Sequence, residues 1–226
     1  MKKARVIVTG SEGIVGSAVC AAMQECYEVQ KLSLRFGHDF TDEEFVKNYF
    51  RENKAEYLVN CFGFNDHIDS DKPQETLFDV SLESIQKYLL VNVVALISVC
   101  REFAKNTESR GIVNISSIYG MVSPIPALYK NTEKHVGYSV SKAAGIQLTR
   151  HLATHLAPRV RANCVVLGGV DGDQNPEFKR DYAEYVPVKK MMQKDEIGGI
   201  IEYLCSDKST YTTGAVIPVD GGWTAW

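Results

Sequence analysis

Tyr138 and Lys142 stand four residues apart in the run Tyr138-Ser-Val-Ser-Lys142, a spacing that puts a phenol and an ammonium on one face of a helix. A free tyrosine titrates near pH ~10, too high for efficient proton exchange at neutrality, and a neighbouring cation favours its phenolate. The pair can therefore give and take a proton at a substrate oxygen. Such a spacing is common on exposed helices, so its weight comes from its surroundings.

A second constellation lies near the N-terminus. The apolar run Arg5-Val-Ile-Val8 passes into Thr9-Gly10-Ser11-Glu12-Gly13-Ile14-Val15-Gly16 and then into a helical pattern. Between a strand and a helix, glycines let the backbone turn tightly and approach a pyrophosphate, which the free N–H groups of the helix N-terminus attract. Gly10, Ser11, Glu12, Gly13, Ile14 and Val15 are the expected contacts of a dinucleotide. The second strand should end near Ser33-Leu34-Arg35, where a carboxylate would accept from a ribose 2'-hydroxyl. None is there. Arg35 and the Ser33 hydroxyl suit a 2'-phosphate, which favours NADP(H). Asp39 keeps NAD(H) open, and a solvated loop arginine is the plain alternative for Arg35.

The elements that must position these groups alternate along the chain. Apolar, β-branched runs occur at 5–8, 29–34, 57–60, 111–115, 161–167 and 215–219, and helical periodicity at 14–26, 42–52, 83–105, 138–156 and 194–206. This predicts one domain over 1–226: an α/β, Rossmann-type, doubly wound parallel sheet flanked by helices, with ligands at the carboxyl ends of the strands. Two stretches, 119–137 and 167–187, read as irregular and are the places to look for substrate contacts.

Composition excludes several classes. The 226 residues are 45% hydrophobic and 23% charged, enough for an ordinary core. A net charge of -3, without long blocks of either sign, argues against nucleic acid. The six cysteines form no C-x-x-C pair and have no histidines at zinc spacing, so no metal is expected and a reducing compartment is. The charged start Met1-Lys2-Lys3 lacks the apolar run of an export signal, and the stretch Leu89–Cys100 is shorter than a membrane span. The expectation is a cytoplasmic protein with no membrane partner.

Four further features complete a pattern: Asp39-Phe-Thr-Asp42 after a short strand, Asn92 in a hydrophobic helix, Val113-Asn-Ile-Ser-Ser117 ending a strand, and Val219-Asp-Gly-Gly222. In this order, from Val6 to Gly222, the chain resembles the short-chain dehydrogenase/reductase family. The resemblance implies hydride transfer between a nicotinamide and a carbonyl or alcohol. Tyr138 would be the general acid/base, and Lys142 would lower its pKa and hold the nicotinamide ribose. Ser117, with Ser116 as its rival, would hydrogen-bond the substrate oxygen, or else be a strand-end cap. Asn92 would hold a water for a proton relay, or else be an asparagine satisfied by nearby backbone. Phe40, Cys61, Gly63 and Val170 fall at cofactor-facing positions.

The chain also departs from that pattern. The glycine spacing is that of extended members such as nucleotide-sugar epimerases. Asn60-Cys61-Phe62-Gly63 replaces N-N-A-G after the fourth strand, Leu167-Gly168 replaces Pro-Gly, and Gly172 replaces a threonine. Few residues separate Arg35 from Asp39, so the second helix is nearly absent. The Ile118–Gly137 insertion carries Tyr119, Tyr129, Lys130, Lys134 and His135 and is similar to reductases of bacterial nucleotide-sugar and surface-glycan pathways. With a second loop at about 168–190, it suits a small polar substrate, a sugar or sugar nucleotide, and one bearing negative charge. An epimerase or dehydratase that retains its cofactor is an alternative, as is a non-catalytic cofactor-binding scaffold. Tyr88–Cys100 is hydrophobic nearly all round, which predicts a homodimer or homotetramer; the resemblance implies an interface that it shares with the Tyr138 helix.

Overall fold

The computed structural model describes residues 3–66, 76–130 and 132–226. Met1 and Lys2, read above as a charged start, lie outside it, as does position 131 of the insertion. Six runs form strands: β1 (Ala4–Thr9), β2 (Tyr27–Leu32), β3 (Tyr57–Asn60), β4 (Gly111–Ser117), β5 (Arg161–Leu167) and β6 (Val216–Val219). All pair in parallel in the order β2-β1-β3-β4-β5-β6. The order reverses between β1 and β3, the place where such sheets open a crevice for a ligand.

Alternate strand residues face opposite layers. Ile7, Leu58, Ile112 and Ala162 pack towards α2 (Glu43–Glu52), α4 (Leu96–Ala104) and α6 (Val136–Leu156). Val6, Val8, Val59, Val113 and Val165 pack towards α1 (Ile14–Met23) and α8 (Gly198–Leu204). Each fully buried valine of this kind contributes roughly 1.5–3 kcal/mol. A buried polar chain crosses the first layer. Thr9 donates to Asn60 (3.1 Å), Asn60 to Asn114 (2.8 Å) and Asn114 to Thr149 on α6 (3.0 Å). Because burial leaves these groups no water, each must meet its neighbour, and the chain fixes α6 on the ends of the strands.

The short strand expected before Asp39 is not formed. Ser33 caps a 3-10 turn, Leu34–Phe36, and Gly37 at φ +82° turns the backbone away from the sheet. β2 is therefore the sheet edge, ending at Leu32, and the strand taken as the fourth is the third. The stretch 167–187 is only partly irregular: it contains α7 (Pro176–Tyr185), which Asn175 caps by accepting from the Glu177 N–H. A short α5 (Pro126–Tyr129) lies in the insertion.

The helical run after β3 is α3 (Leu82–Leu89), a π-helical turn (Leu90–Ala95) and α4, continuous from Leu82 to Ala104. At mean hydropathy 1.4 over its most apolar window it is long and apolar enough to cross a membrane, so the length argument made from the sequence fails. Ala95, Leu96, Val99, Cys100 and Phe103 of this run are buried in the sheet layer.

Candidate active site

The turn after β1 has the shape its glycines require. Gly10 has φ +66°, and a Cβ there would meet Phe62 backbone at 2.6 Å; one at Gly16 would lie 2.1 Å from the Gly10 oxygen. Gly13 begins α1 without a side-chain cap, so the first-turn N–H groups around Ile14 and Val15 are free to meet an anion. The Ser11 hydroxyl is buried with no hydrogen-bond partner among the described residues. An uncapped helix start, a close-approach turn and an orphaned hydroxyl together fit a dinucleotide pyrophosphate. Glu12 is exposed beside them.

At the end of β2, Ser33 Oγ accepts from the Arg35 N–H (3.2 Å), so its own hydrogen is available. Arg35 is exposed and makes no ion pair among the described residues. Asp39 turns elsewhere, accepting from the Thr41 N–H (2.9 Å) and hydroxyl (2.7 Å). Phe40 is buried against Phe62, ring centres 4.7 Å apart. The half-buried Cys61 side chain packs on the valine layer under α1, and burial raises its thiol pKa.

The second cluster gathers at the ends of β3 and β4. His135 Nδ1 accepts from the Gly137 N–H (3.0 Å) and starts α6, placing Tyr138 in the first turn. Lys142 Nζ lies 5.7 Å from the Tyr138 ring centre and donates to the Ile115 carbonyl (3.4 Å). Ser116 donates to the Lys142 carbonyl (2.9 Å). Ser117 instead accepts from the Tyr119 N–H (3.2 Å) and keeps its O–H free to donate. Gly63 brings its bare Cα between Asn92 and Lys142: a Cβ there would sit 3.2 Å from Asn92 Oδ1 and 3.4 Å from Lys142 Nζ.

Asn92 lies in the π-helical turn and is buried. Its Oδ1 accepts from the Phe64 N–H (2.6 Å), and its Nδ2 donates to the Phe64 carbonyl and the Ser141 hydroxyl (2.9 Å each). The side chain thus clamps the segment after β3 to α6. Two of these bonds go to the Phe64 backbone and one to a side chain on α6. Ser141 and Phe64 were not singled out from the sequence. Ser141 lies three residues after Tyr138, and only the folded contact reveals it.

Val170 lies beyond β5, where it bridges to Met192 and its carbonyl accepts from Gln174 Nε2 (2.9 Å). Gly172 gives its N–H to Gln174 Oε1 (2.8 Å), and a Cβ on it would meet Ile14 at 2.9 Å. The loop after β5 therefore closes on the glycine turn. A cavity of about 170 Å³ near it, lined by Gly168, Tyr182, Met191 and Asp220, includes none of Ser117, Tyr138 and Lys142.

The crevice and cluster suit a nicotinamide-linked oxidoreductase, and comparison with known proteins gives the family. The sequence profile of the enoyl-(acyl carrier protein) reductase family matches residues 2–224. The chain is 31% identical to the 3-oxoacyl-[acyl-carrier-protein] reductase of Aquifex aeolicus, over 96% of this chain and 86% of that one. It is 29% identical to a glucose 1-dehydrogenase of Gluconobacter oxydans, over 83% and 71%. It shares its fold with a short-chain dehydrogenase of Leptospira borgpetersenii solved with bound NAD+, at TM-score 0.85 and 23% identity, over 99% and 94%. The chain belongs to the short-chain dehydrogenase/reductase family. It is an NAD(P)(H)-dependent enzyme that moves a hydride between nicotinamide and a carbonyl or alcohol carbon.

Proposed function

We propose that this enzyme prefers NADP(H), acts on a small hydroxylated substrate of the sugar class, and uses Tyr138, Lys142, Ser117 and Asn92. When bound, the nicotinamide supplies or accepts the hydride. In the reducing direction Tyr138 gives its proton to the substrate oxygen, and the free O–H of Ser117 donates to the same atom. Lys142 sets its ammonium beside the Tyr138 ring and reaches the ribose side of the crevice. Asn92 acts as a positioning residue by holding Phe64 and Ser141. The observation that carries this reading is the placement of Lys142 Nζ between the Tyr138 ring and the floor formed by Ile115 and Gly63.

Gly10, Ser11, Gly13, Ile14 and Val15 would hold the pyrophosphate, Ser33 and Arg35 the 2'-phosphate, and Phe40 with Phe62 the adenine side. A sugar-like substrate is supported by the likeness to the glucose 1-dehydrogenase; in the insertion, Tyr129 donates to Tyr119, and Lys130 pairs with Glu177 and Asp181. The exposed stripe of Leu90, Val94 and Ile97, with Val140 on α6, supports a homo-oligomer, and six free cysteines suit a cytoplasmic setting.

The test is turnover of an aldose and polyol panel with NADPH and NADH, repeated with Tyr138→Phe. The variant should bind NADPH as the parent does and lose turnover by about 10²-fold or more. Turnover within a few fold of the parent would remove Tyr138 from the chemistry.

A further inference from the structure

Lys134 is a polar group at the site that none of these roles uses. It closes the insertion four residues before Tyr138, and its Nζ lies 4.4 Å from the Tyr138 ring centre. Two ammonium groups therefore border one ring, since Lys142 Nζ is 5.7 Å from the same centre. The partner of Lys134 is a neutral oxygen, Asn65 Oδ1, beside the Phe64 that Asn92 clamps.

No carboxylate pairs with Lys134 among the described residues. The charges that act on it are Lys142, which opposes its protonation, and the exposed Asp66, which favours it. Burial first, and then Lys142, push its ammonium down to about 8. The other lysines of these loops are neutralised: Lys130 pairs with Glu177 and Asp181, and Lys179 with Asp171. A cation withdrawn from water beside a second cation is costly unless an anion completes the arrangement.

We infer that Lys134 is a specificity-determining residue that binds an anionic oxygen group of the substrate, a carboxylate or a phosphate, close to the carbon whose oxygen meets Tyr138. The inference rests on the assignment of Tyr138 and Lys142 proposed above. It narrows the sugar-class substrate to sugar acids and phosphorylated polyols or sugars. A charge-assisted bond from an ammonium held by Asn65 would replace the lost hydration and orient the reacting carbon.

The experiment reads lysine acetylation by N-hydroxysuccinimidyl acetate, by peptide mass spectrometry, on the intact protein near pH 8. It is run with and without NADP+, in the presence of glycolate, glycerol 3-phosphate or glycerol. At saturation one or both anions should slow Lys134 acetylation about tenfold, with glycerol and the exposed Lys208 showing no change. Protection by glycolate alone identifies a carboxylate, and by glycerol 3-phosphate alone a phosphate. Equal Lys134 rates with all three, or equal slowing of Lys208, would overturn the inference. Lys142 serves as the separate readout: if NADP+ does not slow its acetylation, the cofactor-site reading fails, and if it does while Lys134 ignores the anions, only the Lys134 assignment fails.

Discussion

The Ser116 hydroxyl donates to the Lys142 carbonyl at 2.9 Å, so the two adjacent serines at the end of β4 have different work. Ser116 ties the strand to α6 through a part-buried bond. Ser117 accepts from the Tyr119 N–H and retains a free hydrogen. Ser117→Ala should therefore lower kcat by about 10²-fold and, because the Tyr119 N–H loses its acceptor, also cost about 1 kcal/mol of stability. Ser116→Ala should lose a similar amount of stability with a much smaller kinetic effect. Steady-state kinetics and urea denaturation on both variants check this; a larger kinetic loss in Ser116→Ala would reverse the assignment.

Cofactor preference rests on Arg35, which is exposed and without an ion pair among the described residues. Arg35→Ala should weaken NADPH binding about tenfold or more and leave NADH binding unchanged, because the guanidinium acts on the 2'-phosphate alone. Fluorescence titration with both nucleotides measures the difference. Equal affinities in the unmodified protein would shift the preference to NAD(H).

Much of this architecture was legible in the sequence, and the exceptions have physical causes. The strands β3 and β5 fall at the expected residues, because continuous apolar runs have few other ways to be buried. α7 was missed because Pro176–Tyr185 is rich in charge. Its signals were nonetheless present: Asn175 and Pro176 as a helix start, and Phe178, Tyr182 and Tyr185 on one face. The missing strand before Asp39 was harder to foresee, since family order suggested it and only Gly37 argued otherwise. Neither the π-helical turn at Asn92 nor the division of labour between Ser116 and Ser117 leaves a local trace. Both depend on what α6 presents to the end of the sheet.

Acid should weaken the α4 layer through Glu102, whose side chain is 5% exposed. Burial raises its carboxyl, but hydrogen bonds from Lys105 and Arg101 outweigh that and hold it below the usual carboxylate range. A lowered folded pKa gives stability that is present above the unfolded value, near pH ~4.3, and lost as pH falls through the folded one. Glu102→Gln should accordingly be less stable than the parent at neutral pH, with the gap narrowing below about pH 4. Urea midpoints across that range decide it, and a gap that stays constant with pH would remove Glu102 from the acid response.

The stripe of Leu90, Val94 and Ile97 bears on assembly. These side chains are 46%, 55% and 42% exposed, and Val140 on α6 is 51% exposed, although neighbouring residues of the same helical run are buried in the sheet layer. Leaving such a stripe in water forgoes roughly 25 cal/mol for each Å² of apolar area that a second copy would cover. Val94→Asp places a charge in its middle. In an isolated chain that residue would stay hydrated and cost little, whereas in a homo-oligomer it would be desolvated in each subunit. Light scattering at micromolar concentration should find the parent as a dimer or tetramer and Val94→Asp as a folded monomer. A monomeric parent would show that this stripe is not an interface between copies of the chain.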